Sequence, residues 1–287
     1  MSIWLPIGAL LLLLTGAVAQ ETLPPAPKTL AKSVAIIDAL TGDTLYEKNP
    51  TEERPVASTQ KMLTAILISE RGDLDEIITV AKTDTNTVPS IIGIKTGEQY
   101  SRRQLLKALI VKSGNDAARA LARDYAGSQV KFAKAMNERA VALGMEQSNF
   151  VNASGLTVAK QHSSARDIAR LAYAAYRIPI IRETAELHEL TFVKPDGSSV
   201  IFESTNDLLK LSPYCTGFKT GYTNASGRCL VSTGTHGDRS VIVVVLGSTW
   251  TGVWPDSHKL LHWSLGLPHP PPPAPKKKAP RKKKRTG

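Results

Sequence analysis

The sequence predicts a mixed α/β (α+β) fold, β-rich runs with helices and a helical lobe, on three observations. Short β-type runs stand near both ends of the chain. A long block between them, residues 101–177, reads as helix after helix. With 287 residues and 42% apolar content, the chain can bury one large core or two small ones, and its middle lacks the composition of a disordered segment.

Taken in order, Pro24, Pro25 and Pro27 make a short leader. Residues 33–38 and 44–46, around a Thr41-Gly42-Asp43 turn, read as a β-hairpin. Pro55 and Gly72 then punctuate a helix whose buried stripe is Met62, Leu63, Ile66 and Leu67. Residues 73–100 hold short strand-like pieces among turn residues. Ser101 with Gln104 offers a capping box for a helix through Val111, which stops at Lys112-Ser113-Gly114-Asn115. A new helix starts at about Asp116, and two more cover 129–143 and 164–176, the first ended by Gly144 and the second before Pro179. The period then changes. Residues 190–193 and 200–202 flank a Pro195-Asp196-Gly197 turn. Three β-rich runs follow at 217–223, 228–235 and 240–247, and residues 241–246, the most apolar, are expected to be a central strand. A last helix is expected over 256–265. There is no internal repeat and no nucleotide-binding glycine motif.

The two ends differ from this body. The first nineteen residues carry no Asp, Glu, Lys or Arg, and the apolar run from Ile3 to Leu14 closes on Ala17-Val18-Ala19. That reads as a secretory signal peptide over 1–19, an uncleaved anchor being disfavoured by the short apolar core. Residues 268–287 form a Pro-rich spacer followed by Lys276 to Lys278 and Arg281 to Arg285. Without those eight basic residues the chain holds 28 Lys+Arg against 25 Asp+Glu, so the formal +11 belongs mostly to the tail. A disordered basic tail on an exported chain suits an anionic membrane surface or cell-envelope polymer rather than nucleic acid. A purely solubilising tail is the plainer alternative. The expected location is the periplasmic or extracytoplasmic envelope, peripheral to the membrane. Cys215 and Cys229 are the only cysteines. If their segments form a hairpin turning near residues 224–227, residue 229 pairs near 221 and Cys215 lies about 20 Å along the strand, which favours two free thiols.

The chemistry starts at Ala57-Ser58-Thr59-Gln60-Lys61-Met62-Leu63-Thr64-Ala65. Ser58 and Lys61 are one turn apart at the mouth of an apolar helix and share a face. Burial and the positive end of the helix dipole both disfavour the ammonium there. A neutral amine beside a hydroxyl is a base-activated nucleophile. A second Ser-x-x-Lys, Ser128 with Lys131, follows Gly127 and reads as an ordinary N-cap. Ser113 and Asn115 sit in the tight interhelical loop, where polar side chains can point into a cleft. Lys219-Thr220-Gly221-Tyr222 begins the late β-rich series: the lysine and threonine can meet a carboxylate, and the glycine lets a substrate backbone lie against the strand. Lys95-Thr96-Gly97 and Ser204-x-Asn206 repeat parts of these patterns in turn contexts. Only Ser58-x-x-Lys61, Ser113-x-Asn115 and Lys219-Thr220-Gly221 each occupy a fitting element.

Together these motifs, with Gly155-Leu156 and Ser163-Ser164-Ala165-Arg166-Asp167, resemble the low-molecular-weight penicillin-binding proteins, the serine D-alanyl-D-alanine carboxypeptidases, from about residue 33 to 263. The resemblance implies a transpeptidase/β-lactamase-like fold: a five-stranded antiparallel sheet flanked by helices, with an all-α lobe at about 101–177 inserted in a catalytic domain over 20–267. It implies removal of the terminal D-alanine from peptidoglycan stem pentapeptides, and acylation by penicillins and other β-lactams. Ser58 would be the nucleophile, Lys61 its base and Ser113 a proton relay. Asn115, Lys219, Thr220, Gly221 and Tyr222 would bind substrate, the backbone N–H groups of Ser58 and Tyr222 forming the oxyanion hole. No metal or cofactor is required.

One departure favours an alternative. Similar carboxypeptidases often carry an arginine near Gly252, where this chain has Val253 and Trp254, which shifts weight towards a D-alanyl endopeptidase cutting peptidoglycan cross-links. A β-lactamase would need a deacylating carboxylate, and Glu146-x-x-Asn149 is a poor candidate. A non-catalytic envelope-binding module would have no need to keep Ser58, Lys61, Ser113 and Lys219. His162 reads as structural.

Overall fold

The structure, a computed structural model, describes residues 23–270, so the signal segment and most of the basic tail lie outside the described residues. Strands β1 (Ser33–Asp38) and β2 (Thr44–Lys48) form the expected hairpin. Its turn is fixed by Asp38, whose carboxylate accepts the N–H groups of Leu40 and Thr41 at 2.7 and 2.9 Å. A 3₁₀ turn over Ala57–Gln60 runs into α1 (Lys61–Arg71). Next come β3 (Ile77–Thr79), the short α2 (Lys82–Thr85) and β4 (Gln99–Ser101), with β3 and β4 paired as a small ribbon.

Four longer helices follow: α3 (Arg102–Val111), α4 (Asn115–Ala126), α5 (Gln129–Ala142) and α6 (Ala165–Tyr176). Their starts are written in their caps. Ser101 accepts the Gln104 N–H and Gln104 answers with its own side chain, while Ser128 and Ser164 accept the N–H groups of Lys131 and Asp167. Helix α6 ends before Pro179, as expected, but the chain then opens a further helix that was not anticipated. It forms α7 (Pro179–Ala185) with the proline in the first turn, where its missing N–H has no partner to lose. Then β5 (Glu189–Val193) and β6 (Ser199–Glu203) make the hairpin read from Pro195-Asp196-Gly197, and α8 (Leu208–Leu211) leads to β7 (Cys215–Thr223), β8 (Gly227–His236) and β9 (Arg239–Ser248). Helix α9 (Val253–Ser264) begins three residues before the expected start.

The main sheet has five antiparallel strands in the order β2-β1-β9-β8-β7. Central β9 explains the unbroken apolar run: Ile242, Val244 and Leu246 enter the core shared with α1 and α6, while Val241, Val243 and Val245 enter the core under α9. Helix α6 packs on β1 and β9, and α3, α4 and α5 pack around α1. Thus α1 is the spine between the sheet and the other helices, and its first turn lies against β7, an edge strand. Cys229 pairs opposite Gly221, as anticipated, and Cys215 opposite Gly234; both thiols are free and buried.

Candidate active site

Ser58 lies on the 3₁₀ turn and Lys61 is the first residue of α1, so a single turn brings hydroxyl and amine together. Lys61 Nζ is 2.8 Å from Ser58 Oγ, 2.7 Å from Asn115 Oδ1 and 2.6 Å from the Ser154 carbonyl. The orientation of the Asn115 amide is fixed from behind, because its Nδ2 donates to the Pro89 carbonyl at 2.6 Å. Asn115 Oδ1 and Ser154 O are acceptors only. A neutral amine has two N–H groups and one lone pair; with the N–H groups spent on those oxygens, the lone pair is left facing the Ser58 hydroxyl. The hydroxyl's other acceptor, Ser154 O, is farther, at 3.3 Å. Electrostatics agree: complete burial holds the Lys61 amine well below its ordinary pKa, the Lys219 charge adds to this, and Asp116 opposes it.

Two glycines let the backbone close around Ser58. Gly155 has φ +86°, and a Cβ built there would sit 2.1 Å from the Ala57 carbonyl oxygen. A Cβ on Gly221 would fall 3.0 Å from the Ser58 nitrogen, so β7 approaches the serine as only a bare α-carbon allows.

The second half of the site is built on β7. Lys219, also buried, donates to Ser113 Oγ at 2.9 Å and to the Thr220 carbonyl at 3.1 Å, and burial pushes its amine down to about 7. Ser113 occupies the loop between α3 and α4 with φ +63°. Asn115, two residues on, opens α4, so this loop supplies one partner to each lysine. Thr220 Oγ1 shares a hydrogen bond with Thr205 Oγ1 at 2.6 Å. Tyr222 is exposed at the mouth, where Pro89, Leu156, Thr157, Thr223 and Asn224 help line an open cavity of about 420 Å³. All eight residues singled out in the sequence therefore gather where the first turn of α1, the α3–α4 loop and β7 meet.

Sequence reasoning missed the groups that hold these in place. The Asn152 side chain accepts the N–H groups of Ser154 and Gly155, which presents the Ser154 carbonyl to Lys61. Gln60 Nε2 donates to the Asn152 carbonyl, tying that turn to α1. Buried Asp116 accepts the N–H groups of Ile92 and Gly93 and so shapes the segment that carries Pro89. An Asn-x-Ser-Gly turn signal existed at residues 152–155, but the partner of its carbonyl is 93 positions away.

The residues set aside stay aside. Ser128 caps α5, Lys95 and Thr96 are exposed in a turn, and Asn206 caps the approach to α8. Exposed Glu146 lies on the α5–α6 connection. The His162 ring stands 3.6 Å from Glu53.

A five-stranded antiparallel sheet, its helices and a half-buried serine beside a buried lysine at the sheet edge are the features of the serine-type D,D-peptidases. The chain belongs to the D-alanyl-D-alanine carboxypeptidase family, peptidase S11, whose sequence profile matches residues 19–249. It is 34% identical over 245 residues to a D-alanyl-D-alanine endopeptidase of Pseudomonas aeruginosa, covering 83% of this chain and 79% of that one. It is 33% identical over 224 residues to the D-alanyl-D-alanine carboxypeptidase DacF of Bacillus subtilis, covering 76% of this chain and 58% of that longer protein. The crystal structure of a D-alanyl-D-alanine carboxypeptidase from Mycobacterium tuberculosis matches with a TM-score of 0.81 and 28% identity, over 86% of this chain and 96% of the other.

Proposed function

We propose that the protein removes the terminal D-alanine from peptidoglycan stem pentapeptides through an acyl-enzyme on Ser58. The observation that carries this reading is the Lys61 amine 2.8 Å from Ser58 Oγ, with its remaining partners able only to accept. Ser58 Oγ attacks the carbonyl between the two D-alanines while Lys61 takes the hydroxyl proton. The oxyanion is met by the backbone N–H groups of Ser58 and Tyr222, on the two segments that Gly221 brings together. The proton now on Lys61 is relayed through Ser113, hydrogen-bonded to Lys219, to the departing D-alanine nitrogen, which leaves Lys61 neutral again. Asn115 orients Lys61 and meets a substrate amide; Lys219 and Thr220 hold the substrate carboxylate. Water then attacks the ester carbonyl, Lys61 again takes the proton, and Ser58 is regenerated. β-Lactams enter by the same attack and stay as a Ser58 ester.

The alternative is endopeptidase cleavage of D-alanyl cross-links, favoured by the 34% identity to the Pseudomonas protein and by Val253 and Trp254 at the start of α9. Product analysis separates the two: a pentapeptide releasing free D-alanine supports the carboxypeptidase, and cleavage restricted to cross-linked dimers supports the endopeptidase. In this reading, segment 1–19 exports the chain and the basic tail attaches it to an anionic membrane or polymer. Among the described residues no helix is long and apolar enough to cross a membrane.

A further inference from the structure

Away from the cleft, α9 carries two histidines one helical turn apart, and their rings meet. His258 and His262 share a face of the helix at positions i and i+4. Their Nε2 atoms are 3.1 Å apart, with the ring planes nearly perpendicular at 87°. Helix α9 covers the sheet face opposite α1, so the pair stands on the far side of the sheet from Ser58. Both rings are half-buried, and His262 touches both the link from α8 to β7 and the chain that leaves α9.

The surroundings of His262 fix which of its nitrogens is free. Its Nδ1 lies 3.0 Å from the Pro268 carbonyl, which can only accept, so Nδ1 carries the proton and donates. In the neutral ring Nε2 then holds a lone pair, which faces His258 Nε2 and, at 3.2 Å, the Ser212 hydroxyl. If His258 donates from Nε2, it competes with Ser212 for that one lone pair. If His258 carries its proton on Nδ1, two lone pairs confront each other. A cation held between the nitrogens relieves either conflict. The backbone carbonyl on the opposite ring nitrogen is the arrangement that orients a metal-bound imidazole. The spacing agrees: with metal–nitrogen bonds of about 2.0–2.1 Å, nitrogens 3.1 Å apart subtend about 100° at the metal, between the square-planar and tetrahedral angles. Among the described residues no group of three His, Cys, Asp or Glu side chains is placed to hold a metal, so water fills the other positions and the site exchanges its metal with solution.

We propose that His258 and His262 form a binding site for a divalent late transition metal, Zn²⁺ or Cu²⁺, which staples the last turns of α9. The inference stands apart from the D,D-peptidase reading and does not depend on it. It is tested with the full-length protein at pH 7.5, zinc chloride being the probe for affinity and copper(II) chloride the probe for the ligand set. Calorimetric titration is expected to find one Zn²⁺ per chain and at least about 10-fold weaker binding in His258→Gln and in His262→Gln, with His162→Gln like the wild type. The thermal midpoint of the wild type should rise with added Zn²⁺, and that of the two α9 variants should not. Electron paramagnetic resonance of the wild type with one equivalent of Cu²⁺ should show two imidazole nitrogens, a readout that needs no variant to fold. Zn²⁺ binding that survives both α9 substitutions would place the metal elsewhere, and a protein that takes up no Zn²⁺ would leave the rings as a hydrogen-bonded pair. Either result, or a Cu²⁺ spectrum with fewer than two nitrogens, would overturn the inference.

Discussion

Lys61 Nζ meets Ser58 Oγ from a nitrogen whose other neighbours, Asn115 Oδ1 and the Ser154 carbonyl, have no proton to give. The relationship depends on Asn115 being an amide, since its Nδ2 is anchored on Pro89. Asn115→Asp would set a carboxylate against the amine, favour the ammonium, and leave the Pro89 carbonyl without its donor. Activity needs the amine neutral, so the acid limb of the kcat/KM profile should move to higher pH, with a loss of about 10²-fold near pH 7. An unchanged acid limb measured on the same substrate would show that Asn115 does not set the state of Lys61.

Lys219 should cost stability. Its folded pKa, near 7, lies below the ordinary 10.5, so in that window the unfolded chain binds a proton that the folded chain does not, and stability rises with pH. Below pH 7 the penalty is full. Lys219→Met should therefore stabilise the protein by about 1–3 kcal/mol at pH 6, after allowing for the abandoned Ser113 hydroxyl, while reducing activity. Urea melts at pH 6 and pH 9.5 should show the gain shrinking as pH rises; an equal gain at both would contradict the assignment.

Gly155 supports the nucleophile from below. Gly155→Ala adds a Cβ that would overlap the Ala57 carbonyl and crowd the Ser58 nitrogen, at a positive φ that alanine resists. The expected result is a stability loss of about 2–4 kcal/mol and a slower Ser58 acylation. Thermal melts together with penicillin-labelling rates check both, and a variant with wild-type values would mean that the turn around Ser58 has slack.

The two thiols should be silent. Burial pushes both Cys215 and Cys229 up to about 11, and their paired positions lie five residues apart along β8, beyond disulfide reach. An alkylating reagent at pH 8 should modify neither in the native protein and both in urea. Rapid native labelling would contradict this.

Several parts of the architecture could be read from neighbouring residues alone. The apolar run of β9 implied a strand covered on both faces, and the serines before α3, α5 and α6 marked their starts. Pro179 misled because proline is equally at home ending one helix and opening the next, and the backbone between α6 and α7 chooses the second. The reacting groups were legible because each motif combines a reactive side chain with the element that presents it. The supports were not: Ser154 acts through its backbone carbonyl, and Asp116 through N–H groups of a distant segment. Such partnerships are made by folding and leave no local spacing to read.

The central claim is that Ser58 is made reactive by Lys61. Mass spectrometry of the protein after exposure to labelled penicillin tests it most directly, with Ser58→Ala and Lys61→Met alongside. One adduct on Ser58 in the wild type, none in Ser58→Ala, and acylation slowed by at least about 10²-fold in a folded Lys61→Met is the predicted result. An unlabelled wild type, a labelled Ser58→Ala, or a Lys61→Met variant acylated at the wild-type rate would contradict it.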